Sequence, residues 1–239
     1  MIVLFTDYGA EGPYLGQVQA AINNLAPDEK VINLISNVPR QNPKAAAYLL
    51  SSLVNDHPKN TIFFCVIDPG VGTFKDTPVV LRLDERWFVG PDNGLFDIVA
   101  RNSEETECWE IHWRPERISA TFHGRDIYAP ISAMIANGLD IPGERFTWQD
   151  RNQWPVNLYE IIYIDHFGNC ITGINASDIE NGQLIRVVDK DISHAETFAS
   201  VDKGQLLWYE NSNGLVEIAV NQGSAKEILG LSIGSEVIA

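Results

Sequence analysis

The chain has 239 residues, 45% of them hydrophobic and 21% charged, which suits one large or two small globular domains with a substantial core. Acidic residues number 32 against 17 basic ones, for a net charge of −15. That balance argues against nucleic acid, whose affinity comes from Lys and Arg on phosphates, and against an anionic membrane; it leaves a small ligand open, a cationic one above all.

The N-terminal run "MIVLFTDYG" is interrupted by an aspartate and preceded by no basic residue, so it reads as a first strand and not a signal peptide. Alternating signals follow. "IVLFT" (2–6) is strand-like, "PYLGQVQAAINNLAP" (13–27) has helical spacing, and "VINLI" (31–35) is a second strand. "NPKAAAYLLSSLVND" (42–56) is a helix with Asn42 as its cap and Pro43 at its first position. "TIFFCVID" (61–68) is a third strand, and "PVVLRL" (78–83) with "WFVG" (87–90) forms a hairpin. "NGLFDIVARN" (93–102) and "IYAPISAMIANGL" (127–139) read as helices. The alternation predicts a sandwich-type α/β domain over residues 1–140, its sheet largely parallel and covered on both faces.

Residues 141–156 are polar, aromatic and aperiodic, and read as a linker. Five short β-rich runs follow over 157–239: "NLYEIIYID", "NCITGI", "LIRVVD", "QLLWYE" and "LVEIAV", separated by turn residues. They predict a small β-barrel or sandwich domain. Cys65, Cys108 and Cys170 lie far apart with no CxxC pair. They suit reduced thiols in a cytoplasmic protein better than a zinc knuckle or disulfide framework. No run approaches the ~18 apolar residues of a membrane span.

Ligands of open α/β sheets bind beyond the carboxyl ends of the strands. Those ends carry Thr6 and Asp7 in "TDYG", Asp68 in "DPGVGT", Asp92 and Asn93 in "GPDNG", and His123, Arg125 and Asp126 in "TFHGRD". Each Asp or Asn alone can serve as a turn or helix cap; four such loops at one edge point to a site. "DPGVGTFK" is not a phosphate loop, because Asp68 repels phosphate and Pro69 removes an amide donor. No GxGxxG stands in the first loop either. Its carboxylate suits the hydroxyls of a ribose. The five histidines show no HxH or HExxH spacing, which leaves a hard-ion site at Asp7, Asp68 and Asp92 as the metal alternative.

Six ordered blocks span nearly the whole chain: "TDYG" (6–9), "IDPGVGT" (67–73), "GPDNGL" (90–95), "TFHGRDIYAP" (121–130), "IDHFGN" (164–169) and "NSNGLVEIAVNQGSA" (211–225). Through them the sequence resembles the S-adenosylmethionine hydroxide adenosyltransferases. These are the adenosine-forming S-adenosylmethionine hydrolases, related to enzymes that use a halide as nucleophile. The resemblance implies an N-terminal α/β domain and a C-terminal β-barrel. It also implies a homotrimer with each site between the N-terminal domain of one subunit and the C-terminal domain of the next. The implied reaction is attack of water or hydroxide on the ribose C5′ of S-adenosylmethionine, with no cofactor and no metal.

The resemblance also implies roles. Asp68 and His123 handle the water, and the family arginine's place falls to Lys75. Lys75 keeps the charge but loses the planar fork, with Arg125 as the other cation at hand. Asp7 matches the ribose-binding aspartate, and Phe122 and Phe198 are candidates to pack the adenosyl group. Asn169 fits the adenine edge with Phe167 beside it. Asp165 and Ser212 sit where relatives hold the methionine part. Glu217 and Val220 fall near adenine or methionine, Val220 through its backbone. Two other classes stay open: an adenosyl-binding sensor without turnover, and a metal-dependent nucleotide hydrolase.

Overall fold

The computed structural model describes residues 1–73, 77–150, 152–180 and 182–239. The chain divides into two compact units, Met1–Ala47 with Asn55–Gln153, and Tyr48–Val54 with Trp154–Ala239.

The elements of the first unit follow in order: β1 (Ile2–Thr6), α1 (Tyr14–Leu25), β2 (Val31–Ile35), α2 (Pro43–Leu53), β3 (Ile62–Val66), β4 (Pro78–Leu83), β5 (Arg86–Pro91), α3 (Asp97–Arg101), β6 (Thr106–Ile111), α4 (Ala129–Ala136) and β7 (Gly143–Phe146). The last residues of α2 are grouped with the second unit. Its expected cap is present, with the Ala45 amide donating to Asn42 Oδ1 at 3.0 Å. The strands make one seven-stranded sheet in the order β2-β1-β3-β5-β4-β6-β7. β1 and β3 are buried at every residue, as central parallel strands with both faces covered must be.

The sheet is mixed and not largely parallel. β2, β1, β3 and β5 run parallel, whereas β5 to β4, β4 to β6 and β6 to β7 are antiparallel. The β4–β5 hairpin causes the reversal. Its turn residues Asp84 and Glu85 have φ of 43° and 66°, the left-handed pair a tight two-residue hairpin needs. β6 and β7 are strands that the apolar pattern does not predict, and β7 lies within residues 141–156, expected to be a linker. "TECWEI" breaks the period-two pattern with adjacent Cys108 and Trp109, and "GERF" has a single large apolar residue, so neither carries a clear strand signal.

One face of the sheet packs Leu4, Phe64, Val66 and Val80 against Val18 and Ile22 of α1 and Ile131 of α4. α4 begins later than its apolar pattern suggests, because a π-type turn occupies Gly124–Tyr128 directly after His123. Such turns cluster at functional sites. α3 is likewise short. Asn93 closes its approach instead, donating to the Ile67 carbonyl at 2.8 Å. Asp97, in the first turn of α3, is buried and accepts from Asn152 Nδ2 at 2.7 Å. Burial pushes its carboxyl up to about 6, with Asp150 and Asp92 adding repulsion.

The second unit holds β8 (Leu158–Ile164), β9 (Cys170–Asn175), β10 (Ile185–Val187), β11 (Lys190–Ile192), β12 (Leu206–Glu210), β13 (Leu215–Val220), α5 (Ala225–Leu229) and β14 (Val237–Ile238). Two antiparallel sheets result, β12-β13-β9-β8 and β11-β10-β14. Single bridges join Glu160 to Glu236 and His194 to Trp208. Ile161, Cys170, Ile185, Trp208, Val216 and Ile218 form the core.

All three cysteines are free and buried. Burial pushes Cys108 up to about 11, Cys170 up to about 12, and Cys65 well above its ordinary value. Among the described residues no helix is long and apolar enough to cross a membrane.

Candidate functional site

The β1 and β3 ends deliver two of the expected carboxylates. Asp7 follows β1 directly and is partly buried; its Oδ2 accepts the Gln41 amide at 3.0 Å. Burial raises its carboxyl above the usual range, opposed by that amide and by Arg40. Asp68 lies beyond β3, where its Oδ1 accepts the Gly70 amide at 3.1 Å. That bond folds the chain back into the "GVGT" turn, tied again by Thr73 Oγ1 donating to the Gly70 carbonyl at 2.6 Å.

The third loop is residues 119–124. Asp126 closes it by accepting the Ser119 amide at 2.7 Å. Gly72 shows how tightly the second and third loops meet. Its φ is +79°, and a Cβ there would stand 2.3 Å from the Ala120 carbonyl oxygen. Only glycine lets the Asp68 loop lie against the His123 loop this closely. Gly124 plays a matching part: a Cβ on it would overlap the Tyr8 hydroxyl at 1.9 Å.

Asp7, Tyr8, Val66, Asp68, Val71, Thr121, Phe122, His123 and Gly124 therefore line one shallow pocket that is open to solvent. Phe122 is fixed edge-on against Tyr8 and Tyr14, with ring centroids 5.9 Å and 5.2 Å away. His123 is depressed below its ordinary pKa, first by burial and then by the charge of Arg114, with Asp126 pulling the other way. Its neutral form thus dominates at pH 7 and can accept a proton.

Arg125 does not reach the pocket lining. Its guanidinium grips Asp126 through Nε at 2.6 Å and Nη2 at 3.0 Å, and donates to Gln17 through Nη1 at 3.0 Å. It also lies 5.1 Å over the Phe122 ring. The fork is spent on bracing the third loop. Asp92 and Asn93 are outside the lining too, although Asn93 braces the segment leading to Asp68. Lys75 lies outside the described residues. Among the described residues, no three His, Cys, Asp or Glu side chains are placed to hold a metal ion.

The remaining candidates belong to the second unit. Asp165 Oδ1 accepts the amides of Phe167 and Asn169 at 2.8 Å and 2.9 Å, and its Oδ2 accepts Asn169 Nδ2 at 2.9 Å. Asn169 can then offer its Oδ1 to a ligand. The "HFG" turn holds Gly168 at φ +83° and leaves Phe167 74% exposed. Glu217 is buried on β13 and accepts from the Tyr209 hydroxyl and from Asn211 Nδ2. Phe198 packs edge-on against Tyr209, ring centroids 5.3 Å apart. Ser212 is exposed in the β12–β13 turn, next to Asn213. The Val220 side chain faces the core, while its carbonyl accepts the Gly223 amide at 3.2 Å.

Sequence reasoning passed over Tyr8, Val66, Val71, Thr121 and Gly124 in the pocket, and Tyr209 and Asn211 beside Glu217. The signal was there for Tyr8, Val71, Thr121, Gly124 and Asn211, which sit inside the quoted "TDYG", "IDPGVGT", "TFHGRDIYAP" and "NSNGLVEIAVNQGSA" blocks.

Residues 2–143 match the SAM hydroxide adenosyltransferase N-terminal domain, and residues 159–238 match the C-terminal domain of the same family. The chain belongs to the SAM hydroxide adenosyltransferase family. Among SAM hydroxide adenosyltransferase relatives, the (R)-S-adenosyl-L-methionine hydrolase of Thermus thermophilus is 33% identical, covering 99% of this chain and 98% of its own. The enzyme of the same name from Salinispora arenicola is 31% identical over 97% of this chain and 94% of its own. A conserved protein of Thermotoga maritima superposes with a TM-score of 0.89 at 32% identity, covering 99% of this chain and 98% of that one. A second solved structure, from Thermus thermophilus, gives a TM-score of 0.80 at 31% identity over 99% of this chain and 97% of that one.

Proposed function

We propose that this protein hydrolyses S-adenosyl-L-methionine to adenosine and L-methionine. The observation that carries the reading is the convergence of Asp7, Asp68 and His123 on one pocket at the carboxyl ends of β1 and β3. The family and the relatives' names supply the substrate.

The chemistry needs little beyond placement. The sulfonium leaves without protonation, so the enzyme must hold water, C5′ and sulfur in line and make the water more basic. Asp68 orients the water, and neutral His123 takes its proton as the oxygen bonds to C5′. The C5′–S bond breaks with its electron pair going to sulfur, which leaves as the thioether of methionine. Asp7 accepts from the ribose hydroxyls, and Phe122 walls the adenosyl group. Lys75 supplies the positive charge of the family arginine. A halide in place of water is disfavoured, because Asp68 repels it.

In the second unit, Asn169 and Phe167 receive adenine, Asp165 and Ser212 hold the methionine part, and Glu217, Phe198 and the Val220 backbone complete the contacts. Single bridges at both edges of its two sheets support a closed barrel. The exposed Phe167 supports a site completed at a subunit boundary in a homotrimer, which light scattering tests directly. Buried free thiols suit a cytoplasmic location. In the relatives' name, L fixes the amino-acid carbon, so (R) designates the sulfonium sulfur; both sulfur epimers belong in the assay.

The test is incubation of EDTA-treated protein with each epimer at neutral and alkaline pH, with adenosine and methionine followed by chromatography. Adenosine formation that disappears in Asp68→Ala and His123→Ala is the expected result. Saturable binding of intact substrate without product would replace the enzyme with a sensor.

A further inference from the structure

β12 and β13 place Tyr209 directly opposite Glu217 as a cross-strand pair. Side chains at such positions are close enough to act as one unit. The Tyr209 hydroxyl donates to Glu217 Oε1, and Asn211 Nδ2 donates to Oε2 at 3.1 Å. Asn211 is itself fixed, its Oδ1 accepting the amides of Asn213 and Leu215 at 2.9 Å and 3.0 Å. Glu217 is 6% exposed and cannot turn to water.

Both donors to Glu217 are neutral. Asp165, whose charge adds to the burial of Glu217, is likewise held by amides only. No cation among the described residues bonds either carboxylate. Lys226 acts on Cys170 beside them, and burial keeps that thiol protonated. A buried carboxylate with neutral donors alone is stable only at a cost, which an N–H or cationic ligand offsets. Each oxygen of Glu217 already holds one donor and has a second acceptor direction left.

We infer that Tyr209 is the positioning residue for this subsite: its hydroxyl fixes Glu217 so that the remaining lone pairs face an amine or ammonium of the bound substrate. The inference rests on the proposed contact between Glu217 and the adenosyl substrate. Tyr209 also seats Phe198, so one side chain sets both an acceptor and an aromatic wall. The donation favours ionised Glu217 against burial and against Asp165, and keeps the acceptor charged at lower pH.

Tyr209→Phe separates the two jobs, because it keeps the ring against Phe198 and removes only the donor. Its dissociation constant and KM for S-adenosylmethionine should rise about tenfold while kcat stays within about twofold. The weakening of binding on acidification should begin at higher pH than in wild type. In a Glu217→Gln background the same change should add little, since the charge it supports is gone. A role in packing alone would lower the melting temperature without moving the pH dependence. Wild-type affinity and wild-type pH dependence in Tyr209→Phe would overturn the inference. Wild-type protein that neither binds nor converts either epimer would instead overturn the proposed function.

Discussion

Gly72→Ala is a direct probe of how the pocket is built. The left-handed backbone at φ +79° costs an alanine about 1–2 kcal/mol. The new Cβ would stand 2.3 Å from the Ala120 carbonyl oxygen, so the two loops must part by roughly 0.7 Å or more. Backbone on both sides resists, which adds about 1–3 kcal/mol of overpacking strain. The total of about 2–5 kcal/mol appears as a lower urea midpoint. Gly138→Ala isolates the backbone part, because Gly138 has φ +68° and nothing within 4 Å of its Cβ. The loop carrying Asp68 moves relative to His123, and a displacement near 1 Å costs about a hundredfold in turnover. The assay is adenosine release alongside urea denaturation for both variants. If Gly72→Ala unfolds no more readily than Gly138→Ala and keeps wild-type kcat, the loops do not meet as described and the pocket argument fails.

Two further outcomes rest on the ionisation of named groups. His123 is depressed below the ordinary 6.5 by burial and by Arg114, so its basic form persists to lower pH than a free histidine's. The fall of kcat/KM on acidification should therefore have its midpoint below 6.5, and a midpoint above that value would contradict neutral His123 as the proton acceptor. Asp97 is raised to about 6 by burial. The sign is destabilising at high pH: stability is intact below the ordinary carboxylate value near ~4 and lost as pH rises through about 6. Asp97→Asn, which still offers Asn152 an acceptor, should gain about 2 kcal/mol at pH 8 and nothing near pH 4 in urea titrations. A gain that does not change with pH would refute the assignment.

Much of the site was legible because strand ends obey a simple rule. β1 and β3 are unbroken apolar runs, so their ends are visible, and "TDYG" and "DPGVGT" stand at those ends. The expectation of a largely parallel sheet failed where the signal is weakest. β6 and β7 carry charges along their length: β6 buries Cys108, Trp109 and Ile111 without regular alternation, and β7, with little apolar content of its own, joins by pairing to β6. Arg125 looked available because it lies two residues from His123. Its neighbour Asp126 takes the guanidinium instead, a choice made by side-chain geometry that spacing does not encode. Tyr209 was passed over for a related reason. An aromatic residue in "LLWYE" reads as core, and only the register with Glu217 shows that its hydroxyl has work.

The three buried thiols give the protein an internal unfolding gauge. Alkylating reagents attack thiolates, and burial keeps each of these cysteines protonated and covered in the native state. Labelling therefore waits for opening. Cys65 and Cys108 belong to the first unit and Cys170 to the second. Peptide mapping after a timed pulse of reagent would thus read the opening of each half separately, with no engineered reporter. Equal labelling rates at all three would mean that the halves open as one cooperative block; unequal rates would rank them.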